Sequence, residues 1–298
     1  MNKLHSPNIV TQNPETVKIS DKIASKPLNI GTGFTAKTFR EKDFDQQMDP
    51  LAMVDHYVMT TPTFGAHPHA GLSAVSVIFE DSSGKFHNRD SLGNDFDILP
   101  GDLYWLKAGS GAVHDEAPRP NARIHGLQVF VNLPAKHKKD APASKHVSAK
   151  DMPIIEKNGM KVRIVAGESN HIAGPTSPAL PMTILDGKIQ QDASFQHDLN
   201  AKENAWIYAV ENDITVKTAD QVIILSAGEA VAISNLNSNA PQDIQFSSAS
   251  MEEAHFALFA AQPVEEEFVQ KGPFILSNEK DIQQAEADYA AGLFGSLN

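Results

Sequence analysis

Two short segments hold the side chains best suited to chemistry. One is Phe64-Gly65-Ala66-His67-Pro68-His69-Ala70-Gly71, and the other is Gly109-Ser110-Gly111-Ala112-Val113-His114-Asp115-Glu116. Residues i and i+2 of a β-strand share a face, so His67 and His69 aim at one point, and so do His114 and Glu116. If both pairs line the inside of one barrel, three neutral imidazoles and one carboxylate converge. That donor set suits a borderline divalent cation: Fe(II), Mn(II), Ni(II) or Zn(II). Octahedral Fe(II) on these four residues keeps two positions open for substrate or oxygen. Pro68 cannot donate to a ladder, which places the first pair at a strand start or a sheet edge. Gly109 and Gly111 permit a tight approach into the second strand.

The plainer alternative puts His114 and Glu116 on an exposed edge and has His67 and His69 bonded to loop backbone. A lone His-x-His pair would not outweigh it, but a second pair at the same spacing does. His5, His146, His171, His197 and His255 have no partner at ligand spacing and read as ordinary core or surface residues. His56, His87 and His125 lie in the same half as the pairs and are candidates for orienting the ligands.

The elements that must position these pairs are strands. Val75 to Phe79, Leu103 to Leu106, Leu127 to Leu133 and Lys161 to Val165 are short and rich in β-branched or aromatic residues. Turn chemistry is dense between them: Asp81-Ser82-Ser83-Gly84, Leu92-Gly93-Asn94 and Pro100-Gly101-Asp102. The chain therefore reads as all-β, with antiparallel strands in a sandwich or barrel.

The pattern also repeats. An apolar strand ending at Phe79 leads to Leu99-Pro100-Gly101-Asp102-Leu103-Tyr104-Trp105. In the second half, Trp206-Ile207-Tyr208-Ala209-Val210 leads to Leu225-Ser226-Ala227-Gly228-Glu229-Ala230. Two matches in the same order predict a duplicated barrel. The expected division is a metal-binding barrel over 1–135, a linker over 136–153 and a second barrel over 154–298. Residues 1–28 are expected to form a partly extended arm. Ser277 is expected to cap a short C-terminal helix from about Asn278 to Ala291, with Ile282, Ala285 and Tyr289 on one stripe and Gly292 as a stop.

Composition excludes several classes. The formal net charge of −12 repels phosphate, so direct nucleic-acid binding is not expected. The one basic cluster, Lys136-His137-Lys138-Lys139, reads as part of a solvated linker. With no cysteine, thiolate ligands and disulfides are ruled out, and any metal must sit on nitrogen and oxygen. There is no apolar leader and no run near the roughly 18 residues of a membrane span, so a cytoplasmic location is expected.

With those residues in view, the sequence resembles the pirin family of the cupin superfamily. The likeness is carried by Asp49-Pro50-Leu51 through Asp55-His56 and by the two segments above. It extends through Leu92-Gly93-Asn94, Pro100-Gly101-Asp102, Tyr104-Trp105 and His125-Gly126-Leu127-Gln128-Val129-Phe130-Val131-Asn132-Leu133-Pro134. Gly272-Pro273-Phe274 and Gly292-Leu293-Phe294-Gly295 also fit. The resemblance implies a bicupin, two tandem double-stranded β-helix (jelly-roll) barrels, with a metal in the first only. Iron is the metal it implies, on His67, His69, His114 and Glu116. The second half has no His-x-His or His-x-Glu pair. In one respect the chain departs from the family pattern, which follows its His-Pro-His with Arg and then a Glu; here Ala70 and Ser73 stand in those places.

The implied activity is that of an iron-dependent dioxygenase on flavonol-like, quercetin-type substrates, with Glu116 as general base for a substrate hydroxyl. The alternative is a non-enzymatic, iron- or redox-responsive regulator that binds a protein partner. A metal-dependent sugar isomerase is disfavoured because no basic phosphate-binding motif is present.

Overall fold

The computed structural model describes residues 16–297. Each half contributes one large and one small antiparallel sheet, and the strand orders match apart from Ile23–Ala24, which adds to Glu229–Asn235 in the second large sheet. In the first, the large sheet runs Ala143–Val147, Leu103–Lys107, Leu72–Ile78, Ile124–Asn132, Leu51–Met59, Phe34–Arg40, Lys26–Ile30. In the second it runs Val17–Ile19, Glu229–Asn235, Asn204–Glu211, Ala254–Ala261, Thr183–Ile189, Met160–Ala166, Ile154–Lys157. The small sheets are His67–His69, Ala112–Pro118, Phe86–Asp90, Asp95–Ile98 and, correspondingly, Ser194–Leu199, Gln242–Ser248, Ile214–Thr218, Gln221–Leu225. The repeat seen in the sequence joins equivalent strands, Leu72–Ile78 with Asn204–Glu211 and Leu103–Lys107 with Glu229–Asn235. The fold is a bicupin.

Strict alternation explains why the central strands read as unbroken apolar runs. In Asn204–Glu211, Ala205, Ile207 and Ala209 point into the second barrel, while Trp206, Tyr208 and Val210 join the core between the barrels. In the first barrel Val75, Val77, Leu127 and Val129 face that same inter-barrel core. The large sheets thus pack face to face, and both faces of their central strands are buried.

The termini depart from the expected division because they exchange places. Val17–Ile19 pairs with Asn235 to Ile233 of the second barrel before the chain enters the first. Residues 1–15 of the expected arm lie outside the described residues. The segment expected as a linker carries Ala143–Val147, which closes the edge of the first large sheet against Leu103–Lys107. An unpaired sheet edge is a liability, so the strand is recruited there despite its polar sequence. Lys138 is also not solvated. It is 2% exposed, and its ammonium donates to the carbonyls of Gly71 and Ile275, both at 3.1 Å, and to Asn132 Oδ1. Burial pushes its pKa down to about 8.

The C-terminal segment returns to the first barrel. Phe274, Leu276, Ile282, Ala285 and Phe294 form one apolar cluster with Ala70 and Val113. The helix spans Glu279–Ala290, and its cap is Asn278, whose side chain accepts from Asp281 N at 3.0 Å, rather than Ser277. Ile282 and Ala285 are buried, but Tyr289 lies on the exposed side. Two glycines permit this docking. A Cβ on Gly71 would lie 2.0 Å from the Ile275 carbonyl, and one on Gly111 would lie 2.2 Å from the Phe294 ring. Among the described residues no helix is long and apolar enough to cross a membrane.

Candidate metal centre

His67 and His69 sit on a three-residue edge strand that pairs with Ala112–Pro118, where His67 stands opposite His114. The spacing of two and this register bring the three imidazoles together. His114 Nε2 lies 3.0 Å from His69 Nε2 and 3.1 Å from His67 Nε2. The other ring nitrogens fix two of the tautomers: His67 Nδ1–H donates to the Gly65 carbonyl at 2.8 Å and His69 Nδ1–H to the Pro273 carbonyl at 3.2 Å. Their Nε2 lone pairs therefore face the centre. Burial holds all three imidazoles below the ordinary histidine range, His69 down to about 3. Neutral at neutral pH and with their Nε2 atoms converging, they form an arrangement suited to a cation. Together they are a group able to hold a metal ion.

Glu116 is beside this group but not in it. Its carboxylate accepts from Ser76 Oγ at 2.8 Å, and it approaches His114 only at Nδ1, 3.9 Å away. That Nδ1 has no hydrogen-bond partner among the described residues. Burial pushes the Glu116 carboxyl up to about 7, against the lowering effect of the Ser76 hydrogen bond.

The three histidines open onto a cavity of about 350 Å³ lined by Phe34, Met53, Tyr57, Met59, Phe64, Phe86 and Phe130. Phe34 stacks on Tyr57 with centroids 5.7 Å apart. Gly272 and Pro273 of the returning C-terminal segment complete the rim. Ala70 lies beneath that segment, 1% exposed, so the place of the family Arg is filled by packing. Ser73 is fully buried with its hydroxyl unpartnered among the described residues.

The remaining histidines stand elsewhere. His56 and His125 are on the outer face of the large sheet, with Nε2 atoms 2.6 Å apart, and His56 Nδ1 lies 2.7 Å from Tyr208 OH. They belong to the inter-barrel interface rather than to the surroundings of the three clustered imidazoles, because alternation sends residues 56 and 125 away from the cavity. His87 pairs outward with Asp95. His146 bonds Asp102, His197 bonds Ser169, and His255 bonds Asp186. His171 is exposed, and His5 lies outside the described residues.

The cavity wall also holds polar residues that the sequence reading does not single out. Cross-strand register aligns Thr38, Asp55, Gln128, Ser76 and Tyr104 in one row over five strands. Alternation in Met53-Asp55-Tyr57-Met59 was the available signal, but the continuous apolar run around it hid the face.

Comparison with known proteins agrees with this architecture. The pirin family model matches residues 28–131, and the model of the pirin C-terminal cupin domain matches 184–295. The chain belongs to the pirin family. A pirin-like protein of Solanum lycopersicum is 29% identical, with 92% of this chain and 91% of the relative covered. Mouse pirin is 27% identical, with 91% and 92% covered. Among solved structures, a quercetin 2,3-dioxygenase from Acinetobacter baumannii superposes with a TM-score of 0.81 at 24% identity, covering 95% of this chain and 99% of that one. A bacterial pirin from Escherichia coli in complex with nickel(II) gives 0.61 at 17% identity, covering 83% and 99%. At these identities the two structures show a common fold.

Proposed function

We propose that this pirin-family bicupin is an iron-dependent dioxygenase acting on flavonol-like, quercetin-type substrates, with His67, His69 and His114 holding the metal and Glu116 joining them as fourth ligand when its carboxylate turns from Ser76. The observation that carries this reading is the convergence of three imidazole Nε2 atoms, two of them with their tautomers fixed, at an aromatic-lined cavity. A bound divalent cation supplies Lewis acidity toward a substrate oxygen and access to dioxygen.

The protein's own residues do the rest. The Gly65 and Pro273 carbonyls hold two ligand rings in place. Phe34, Tyr57, Phe86 and Phe130 exclude water and offer flat surfaces to an aromatic ligand. Glu116, raised to about 7, is matched to accept a hydroxyl proton near neutral pH when free of the metal, and Ser76 aims it.

The test is oxygen uptake by anaerobically iron-loaded protein given quercetin, beside His114→Ala. The expected result is uptake matched to substrate loss in the wild type and none in the variant. One bound iron per chain without uptake would contradict the enzyme reading. It would favour the alternative, a regulator whose partner co-purifies according to iron state. One observation supports that second reading: the Pro273 carbonyl links His69 to a C-terminal segment whose Leu293 is 71% exposed.

A further inference from the structure

Apart from the three histidines and Glu116, the polar side chains of the cavity lie along one wall, and that wall is ordered. Asp55 and Gln128 are directly opposed on neighbouring strands, and Gln128 is in turn opposite Ser76. Each polar group is held on one side and free on the other. Asp55 Oδ1 accepts from Arg40 Nη1 at 2.9 Å, and its Oδ2 has no hydrogen bond among the described residues. Gln128 Oε1 lies 3.0 Å from Ser76 Oγ, and its amide nitrogen is likewise uncommitted.

Tyr57, two residues from Asp55 on the same face, is 2% exposed, and its hydroxyl has no partner among the described residues. It stands opposite Gly126, which places no side chain over it. A buried hydroxyl without a partner is costly, a cost that a ligand oxygen would relieve. All three residues line the same cavity as the histidines.

We infer that Asp55, Gln128 and Tyr57 form a recognition wall that selects an uncharged planar aromatic carrying several hydroxyl groups besides the one directed at the histidines. Asp55 accepts from a ligand hydroxyl, and the Gln128 amide and Tyr57 hydroxyl donate to ligand oxygens. A carboxylate or phosphate in this position would face the Asp55 and Glu116 carboxyls, so such anions are rejected. Sites that hydrogen-bond a ligand hydroxyl discriminate strongly against the analogue without it, because their own buried groups are then left unpaired. This inference rests on the flavonol reading above and adds which part of the flavonol is read, and by which side chains.

The experiment is anaerobic binding to metal-loaded protein, followed by ligand absorbance, for quercetin and for 3-hydroxyflavone, which keeps the metal-directed hydroxyl and lacks the others. The wild type should bind quercetin at least tenfold more tightly. Asp55→Asn and Tyr57→Phe should each lose most of that preference, with 3-hydroxyflavone affinity changed less than threefold. Because Asp55→Asn also releases Arg40, its thermal unfolding is measured alongside; if it does not fold, Tyr57→Phe and Gln128→Met carry the test. Equal binding of both ligands by the wild type, or a preference that survives in the folded variants, would overturn the recognition wall and leave the dioxygenase reading standing. Failure of the wild type to bind either flavonol would overturn both.

Discussion

The two barrels share one strand order and put it to opposite uses. In the first, the inward positions of the paired small-sheet strands are His67, His69, His114 and Glu116, and they face open space. In the second, the corresponding strands turn Phe195, His197 and Leu199 inward from one side and Ile244 and Phe246 from the other. Phe246 stacks on Phe256 with centroids 4.4 Å apart, and the interior is closed. His197 stands alone there, bonded to Ser169, with no second imidazole beside it. The same scaffold therefore becomes either a vessel or a support, depending on the side chains it turns inward. The filled barrel backs the hollow one across the broad apolar face between the large sheets.

The comparison can be broken most sharply by making matching cavities. Phe246→Ala should lower unfolding stability by about 3–5 kcal/mol, because it empties a close-packed site. Phe130→Ala removes a side chain that already borders open space, and should cost less than about 2 kcal/mol by the same measure. Equal losses in chemical denaturation would mean that the first barrel is not hollow in solution.

A second test concerns the rim of the interface. Arg163 donates to Asp186 through Nε at 3.0 Å and also to the Gly101 carbonyl of the first barrel at 2.7 Å, while His255 bonds the other Asp186 oxygen. Burial alone would raise the Asp186 carboxyl, but Arg163 and His255 hold it well below the usual carboxylate range. Its contribution is therefore complete above the ordinary value of about 3.9 and is lost as pH falls below it. Asp186→Asn should destabilise by about 3 kcal/mol at pH 7, seen in denaturant midpoints, with metal content unchanged. A change in metal stoichiometry would show that the barrels are less separate in function than described.

A comparable effect is expected on the acid limb. Burial, helped by His125, pushes His56 down to about 3. A histidine kept neutral in the fold favours the folded state fully above about pH 6.5. Its contribution declines toward pH 3 as the unfolded chain takes up the proton, by at most about 1.4 kcal/mol per pH unit. His56→Gln should flatten that part of the stability profile, measured by denaturation from pH 4 to 7. An unchanged slope would remove His56 from the account of the interface.

Much of this was legible before any coordinates. The clustering of His67, His69 and His114 follows from a period of two, which is local, and the duplication from repeated corner motifs, whereas the turn of Glu116 toward Ser76 is set by cross-strand packing. What stayed hidden depends on register and on long-range exchange. The row of Asp55, Gln128 and Ser76 is assembled by pairing strands distant in sequence, and nothing within one strand announces which residue it will face. Lys138 looks like any linker lysine until the C-terminal segment supplies the Ile275 carbonyl above it. His56 and His125 share a half with the clustered imidazoles, yet alternation turns them to the other face of the sheet.

Metal stoichiometry tests the central claim most directly. The protein and its His67→Ala/His69→Ala variant are loaded with Fe(II) or Ni(II), passed over a desalting column and assayed for metal per chain. The expected result is one ion per chain in the wild type and none in the variant, with both folded by circular dichroism. One ion retained by the variant would contradict the assignment of the centre to the first barrel.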